Sequence, residues 1–415
     1  MATFIHELDG WPNLRWRHAQ VAASLAAARL EQGRLIGQLE ALGFEVRDDA
    51  VLRAVTDEVV KSSEIEGERL DADQVRSSVA RRLGLEVAGL KRADRYVDGI
   101  VEMMLDATQQ HDKPLSEERL VGWHAALFPT GRSGMQRVKT GGWRDDRSGP
   151  MRVVSGPVGR ERVHFVAPPA KRLKSEMRRF LDWFNADEET EPVLKAAQAH
   201  LWFVTIHPFD DGNGRIARAI TELALARSER SPQRFYSLSA QIRAERADYY
   251  RVLEQTQRGS LDVTAWVVWF LGCLTRAVLS AERELAGVLA RARFWERLRD
   301  ASLNDRQRQM LNRLLEGFEG KLTSSKWATM TKTSEDSALR DIQQLVDLGV
   351  FVKDAAGGRS TSCSLATGQT GGGRSRSERP PRWGRRVSRG LSAREEGGRV
   401  VVTPEGGRRI AKKNT

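Results

Sequence analysis

His207-Pro208-Phe209-Asp210-Asp211-Gly212-Asn213-Gly214-Arg215-Ile216-Ala217-Arg218 is the stretch whose reading decides the rest of the chain. Helix-like sequence precedes it, from Pro192 to Ile206, and follows it, from Arg215 to Arg227. The spacing therefore predicts a tight loop feeding a helix N-terminus. Free backbone N–H groups and the helix dipole make such a place attractive to anions. Gly212 and Gly214 let the backbone approach a phosphate closely. Arg215 and Arg218 offer planar forks suited to phosphate. Asp211 is a hard oxygen ligand of the kind Mg²⁺ prefers, and His207 is the natural proton acceptor near neutral pH. A P-loop is excluded, because no Gly-Lys-Ser/Thr follows the glycines. Together these residues read as a nucleotide-phosphate site with a base beside it.

The same twelve residues fit H-P-F-x-(D/E)-G-N-G-R-x-x-R, and on that motif the chain resembles Fic-domain proteins over about residues 1–285. The resemblance implies a mostly helical domain that transfers AMP from ATP to a Ser, Thr or Tyr hydroxyl of a target protein. It implies roles for the matching positions. His207 deprotonates the attacking hydroxyl, and Asp211 holds Mg²⁺ between the α- and β-phosphates. The Gly212–Gly214 backbone and Asn213 cradle the phosphates. Arg215 stabilises the leaving pyrophosphate, and Arg218 orients the γ-phosphate. Such positioning and charge neutralisation suit phosphoryl chemistry.

Upstream, Lys61-Ser62-Ser63-Glu64-Ile65-Glu66-Gly67 closes a predicted helix. Ser62 and Glu66, four apart on one face with Gly67 ending the helix, fit S-x-x-x-E-G and resemble the inhibitory motif of many Fic proteins. By that match Glu66 pairs with Arg218 and keeps its fork from the phosphate. Without the catalytic motif downstream, the same segment would read as a solvated acidic helix end. On the same resemblance the chain could instead remove AMP from a modified protein, with Glu66 positioning a water.

The remaining chain reads as mainly α, a Fic helical bundle with a hairpin flap and an appended winged helix-turn-helix. Residues 1–95 form an N-terminal helical region containing the motif 62–67, and residues 96–285 the catalytic domain. The helices begin after an extended, aromatic-rich start from Phe4 to Trp16, with the second starting near Leu52. Between about 141 and 169, Met151–Val154 and Arg162–Val166 are β-like around a turn-rich Ser155–Glu161, which predicts a hairpin. In Fic proteins a hairpin here, the flap, holds the target segment by main-chain pairing. His124 and His200 read as packed helix residues. Asp248-Tyr249-Tyr250 resembles the region flanking the adenine base, and Tyr249 or Tyr250 serves either base stacking or the core. Asp262–Leu279 reads as an apolar closing helix and residues 286–302 as a charged helical linker.

Residues 303–365, three short helices and a Gly-tipped hairpin, resemble a winged helix-turn-helix. Its recognition helix starts at Ser334, with Thr331, Lys332, Thr333 and Arg340 near a groove or phosphate. Glu335, Asp336 and Asp341 on the same helix leave DNA binding and protein docking equally open. A DNA-binding regulator with a nucleotide-sensing Fic domain is the corresponding alternative function, and a homodimer is a further partner consistent with the reading.

From Ala366 onward the chain is Gly-, Arg-, Ser- and Pro-rich until Val400-Val401-Val402, which predicts disorder. This tail holds 13 Lys/Arg against 4 Asp/Glu, nine of the chain's net twelve positive charges, so the folded body is nearly neutral. Cys273 and Cys363, 90 residues apart, suggest a reducing compartment. No signal peptide is apparent, and the most apolar run, Ala265–Leu274, is too short for a bilayer. A cytoplasmic protein without a membrane partner is the expectation.

Overall fold

A computed structural model of the chain describes residues 4–40, 44–85, 91–147, 149–157, 160–186, 190–315, 322–353, 363–366 and 400–404. These are mainly helical and fall into two compact units, Met1–Leu285 with Glu395–Thr415, and Ala286–Arg394.

The first unit opens with a 3₁₀ turn at Ile5–Glu7, where extended chain was expected. Helices α1 (His18–Glu40), α2 (Phe44–Ile65), α3 (Ala72–Leu83), α4 (Arg95–Gln109) and α5 (Glu117–Leu127) follow. Helix α2 starts well before Leu52, since Arg47, Asp48 and Asp49 have adequate helix propensity although they lack the apolar stripe that marks the later turns. The Asp71, Asp94 and Ser116 side chains accept from N–H groups of the first turn and so fix the starts of α3, α4 and α5. Two short strands, β1 (Arg132–Ser133) and β2 (Gln136–Arg137), form a small hairpin that the sequence did not reveal. Strands β3 (Met151–Ser155) and β4 (Arg162–Val166) pair antiparallel, with a register shift at Val153/Val154.

Helices α6 (Ala170–Asn185), α7 (Pro192–Ile206) and α8 (Asn213–Glu229) come next. Helix α7 is apolar and buried on nearly every side, so it forms the axis of the bundle. Helix α8 is almost as buried. The six-residue loop between them is thereby anchored at both ends in the core. Helices α9 (Leu238–Ala244), α10 (Arg246–Gln257) and α11 (Thr264–Arg297) complete the helical order of this unit. Helix α11 is one continuous 34-residue helix, where a closing helix and a separate linker were expected. No Pro or Gly-rich break interrupts it, and charged side chains alone do not end a helix. By length and composition Thr264–Gly287 is apolar enough to cross a bilayer, but half of it is packed inside the fold, with Trp266, Phe270, Leu271 and Leu274 fully buried.

The second unit contains α12 (Asp305–Leu315), α13 (Ser324–Thr331), α14 (Glu335–Asp347) and a hairpin of β5 (Phe351–Lys353) with β6 (Cys363–Leu365). Its core gathers Met310, Leu311, Trp327, Ala338, Leu345 and Phe351. The Gly357–Arg359 tip lies outside the described residues. Asp341, expected on the exposed face of α14, is buried, where it accepts from Asn304 and from both arms of the Arg306 fork. Arg340 is exposed and Lys332 ends α13 in the left-handed region.

Within the tail, strand β7 (Val400–Pro404) pairs antiparallel with β3. Three successive β-branched valines supply the local preference. The rest of the tail lies outside the described residues.

Candidate nucleotide-binding site

The α7–α8 loop is held by its own side chains. His207 ends α7 with φ 53° and ψ 59°, a left-handed conformation, and its N–H donates to the Phe203 carbonyl. Phe209 is fully buried and stacks on His124 at 4.2 Å between ring centres. Asn213 closes a two-bond ring on Phe209: its Oδ1 accepts from the Phe209 N–H at 3.0 Å and its amide donates to the Phe209 carbonyl at 2.8 Å. Asn213 therefore shapes the loop with the amide that the sequence reading assigned to the phosphates. Gly212 takes φ 81°, and a Cβ there would sit 3.0 Å from the Phe128 ring, so only glycine fits without strain.

Arg144, which the sequence reading passed over, staples the loop from outside. Its side chain is buried, and it donates to the carbonyls of His207 (2.8 Å) and Pro168 (2.5 Å) and to Asp146 (2.9 Å). Its N–H donates to the Pro208 carbonyl. The signal in the sequence was a lone arginine after Gly141-Gly142-Trp143, too short to interpret. Arg144→Ala leaves these carbonyls unpaired and is expected to cost roughly 2–4 kcal/mol of stability, measured as a lowered midpoint in urea. An unchanged midpoint would show that the staple does not hold the loop.

The His207 ring is oriented by its other nitrogen. His207 Nδ1 lies 3.2 Å from the Val204 carbonyl, which can only accept, so Nδ1 carries the hydrogen and Nε2 keeps a lone pair. Nε2 is buried without a partner among the described residues, and His207 lines a cavity of about 460 Å³. Burial, assisted by the Arg144 charge, pushes the His207 imidazole down to about 4. The ring is thus neutral, as a proton acceptor must be, throughout the physiological range.

Asp211, Gly212, Asn213 and Gly214 line the same cavity as the hairpin residues Val153, Arg162, His164 and Phe165. Tyr249 and Tyr250 of α10 line it too, but differ in kind. Tyr249 is a core residue whose hydroxyl meets His200 Nε2 at 2.9 Å, whereas Tyr250 is half-buried with Arg246 stacked 5.1 Å over its ring. Tyr250 is therefore the better placed of the two to meet a flat ligand. His200 is a satisfied core histidine, with Thr221 on its Nδ1.

The two motif arginines are both engaged by the 62–68 segment. Arg218, 1% exposed, donates through Nε to Ser62 Oγ (2.8 Å) and through Nη2 to the Ser62 carbonyl (2.9 Å) and to Glu66 Oε1 (2.9 Å). Nη1 has no hydrogen-bond partner among the described residues. Glu66 itself lines the cavity, and a Cβ on Gly214 would fall 2.1 Å from Glu66 Oε1. The carboxylate therefore lies against the first turn of α8, where unpaired N–H groups favour an anion. Gly67 permits the turn with φ 80°. Arg215, equally buried, donates at 2.7 Å to Glu68 and at 2.6 Å to the Tyr96 hydroxyl, which also donates to Glu68. Glu68 and Tyr96 are further residues at the site that the sequence left unassigned, because nothing local connects Tyr96 to the motif.

Asp211 is the one motif carboxylate that lines the cavity. Its Oδ2 accepts from Ser133 at 2.5 Å, which fixes its rotamer, and its Oδ1 from the Gly212 N–H at 2.6 Å. No cluster of three or more acidic, His or Cys ligands occurs among the described residues. A single carboxylate is nevertheless the donor set Mg²⁺ uses when substrate phosphates and water complete its shell.

Residues 114–225 match the family model described as Fic/DOC family, and residues 4–85 match a domain of unknown function, DUF4172. Among known proteins, the chain is 28% identical over 243 residues to a protein named protein adenylyltransferase Fic from Nematostella vectensis, covering 55% of this chain and 49% of that one. It is 26% identical over 280 residues to the protein of the same name from Drosophila melanogaster, covering 64% of this chain and 50% of that one. The chain thus spans about half the length of the curated relatives it matches. Among solved structures, a Fic family protein from Desulfovibrio desulfuricans G20 matches with 23% identity and a TM-score of 0.46, over 84% of this chain and 97% of that one.

Proposed function

We propose that this chain, which carries a Fic/DOC-family domain across residues 114–225, is a protein adenylyltransferase restrained by Glu66. The observation that carries the reading is the position of His207. His207, whose Nε2 has no partner among the described residues, and the Gly212–Gly214 turn at the start of α8 line one cavity. The relatives' name supplies the reaction class and ATP as the nucleotide donor.

The target hydroxyl oxygen attacks the α-phosphorus, and its proton passes to His207 Nε2. The bond from the α-phosphorus to the bridging oxygen breaks, and pyrophosphate leaves. The neutral state of His207, secured by burial, keeps the acceptor lone pair available. The phosphates lie at the α8 N-terminus, where Gly214 allows close approach. Asp211 would hold Mg²⁺, which would neutralise phosphate charge when bound. Arg218 takes the terminal phosphate only after leaving Glu66, and the two anions compete for one fork. Tyr250 faces the base.

Incubation of Glu66→Gly with ATP and a cell extract tests the reading, following pyrophosphate release together with AMP attached to protein. Both are expected to rise together. Pyrophosphate or protein-bound AMP at no more than the wild-type level would overturn it, and release of AMP from a pre-modified protein by the wild-type chain would indicate hydrolytic removal of AMP instead.

A pH dependence follows from the depressed His207 pKa. The base form persists above about 4, so kcat/KM of Glu66→Gly is expected to stay level from pH 8 to about 5 and then fall. A midpoint near 6.5 would mean that the catalytic base is an ordinary solvated histidine.

A further inference from the structure

The turn that ends α2 is a closed unit. The Gly67 N–H donates to the Glu64 carbonyl at 3.0 Å and the Glu68 N–H to the Ser63 carbonyl at 3.0 Å. These are the two bonds of a Schellman cap, and Gly67 supplies the left-handed residue that cap needs, at φ 80°. Upstream, Ile65 is fully buried and its carbonyl accepts from Arg246 at 3.0 Å. Glu66 and Glu68 therefore leave one fixed piece of backbone, on either side of Gly67.

The two carboxylates reach the two motif arginines, which stand three apart on α8 and so share a face. Glu66 takes Arg218 at 2.9 Å and Glu68 takes Arg215 at 2.7 Å. The Tyr96 hydroxyl braces the second pair, accepting from Arg215 at 2.6 Å and donating to Glu68. Both arginines are buried, while the Glu66 and Glu68 side chains are 32% and 18% exposed. The turn thus lies outside and the guanidinium groups beneath it. Arg215 is only partly used there. Its side-chain hydrogen bonds among the described residues both run through Nη1, and Nε has no partner. Its guanidinium lies 5.2 Å from the centre of the Phe128 ring, and that ring also bounds Gly212. Among the described residues that line the nucleotide cavity, Glu66 is present and Arg215 is not.

We propose that Glu68 is a second latch on the nucleotide site: it withholds Arg215 from the phosphates as Glu66 withholds Arg218, and the Gly67 turn releases both arginines when it lifts. This rests on the phosphate seat at the α8 N-terminus proposed above, and it extends the restraint to an arginine that Glu66 does not bond. A carboxylate and a phosphate compete for the same guanidinium. Removing Glu66 alone frees Arg218 and leaves the turn pinned through Glu68, so an incoming triphosphate gains one of the two arginines. Removing both carboxylates makes the second available.

The test compares Glu66→Gly/Glu68→Gln with Glu66→Gly, each as the full chain. Two affinities are read: for a labelled ATP analogue, by quenching, and for AMP, which lacks the outer phosphates. The ATP analogue is expected to bind about threefold more tightly to the double variant, the size of a partly exposed ion pair, with AMP unchanged. Equal or weaker binding of the ATP analogue overturns the latch, because a counter-ion that merely keeps Arg215 in place would be missed. Equal tightening for AMP overturns it too, since general loosening does not single out the outer phosphates. If Glu68→Gln lowers the urea midpoint, Tyr96→Phe takes its place in the same background. It keeps every charge and removes only the hydroxyl that braces Glu68 against Arg215. Tighter binding of the ATP analogue alone is then expected, and no change overturns the latch. Tighter binding with no protein labelled from ATP by either chain leaves the latch standing and sinks the adenylyltransferase reading. Labelled protein with unchanged affinities sinks the latch alone.

Discussion

Glu66→Gly is expected to incorporate AMP into protein about ten- to a hundredfold faster than the wild-type chain. The estimate comes from the contact it removes. A hydrogen bond between a carboxylate and a buried guanidinium contributes about 1.5–3 kcal/mol, and about 1.4 kcal/mol corresponds to a tenfold change in rate. Arg218 does not become unanchored, because Ser62 still accepts from Nε and Nη2. The guanidinium stays held by Ser62 while its anion is removed, which is the condition for phosphate to replace carboxylate. The substitution also vacates the space against Gly214, at the helix N-terminus. Because Glu66 is about a third exposed, its loss should leave the thermal midpoint within a few degrees. A rise in activity accompanied by a large loss of stability would point to general loosening instead.

His207→Ala, placed in the Glu66→Gly background, is expected to lower incorporation by about 10²–10⁴-fold, the range for loss of a positioned general base. The substitution needs a structural control, since His207 sits at φ 53°. Alanine in that region costs roughly 1–2 kcal/mol, which could mimic a catalytic loss by disturbing the loop. Asparagine tolerates the left-handed region and cannot accept a proton in this pH range. His207→Asn should therefore keep the fold and lose the activity. Nucleotide binding, followed by quenching of a labelled ATP analogue, should survive in both variants, because the proposed phosphate seat is the α8 N-terminus and not His207. Activity of His207→Asn close to that of its parent would remove the histidine from the mechanism.

What could be read beforehand depended on how local the information was. The α7–α8 loop was legible because its residues are contiguous and chemically redundant: glycines, a carboxylate, a base and two arginines in twelve positions. Contact between Glu66 and Arg218 was reachable across 152 positions only through the S-x-x-x-E-G resemblance, and the 2.9 Å distance places the two groups together. The partners of Arg215 were not legible. Glu68 reads as one more acid at a helix end, and Tyr96 as one more apolar position on α4, until packing joins them. Arg144 was hidden for the same reason, since its partners are backbone carbonyls that any sequence possesses. The errors are similar in kind. Asp341 looked solvent-facing by periodicity, yet Arg306 of α12 and Asn304 just before it compensate its charge and allow burial. Helix α11 runs on through Gly287, so the change from apolar to charged composition falls at the division between the two units, Leu285/Ala286, without ending the helix.

The central claim is that His207 directs nucleotidyl transfer at a site Glu66 restrains. It is tested most directly by giving Glu66→Gly two samples of ATP, one labelled at the α-phosphate and one at the γ-phosphate. The account predicts protein labelling from the α-label alone, reduced to background in Glu66→Gly/His207→Asn. Label entering protein from the γ-phosphate, or α-label persisting without His207, would contradict it.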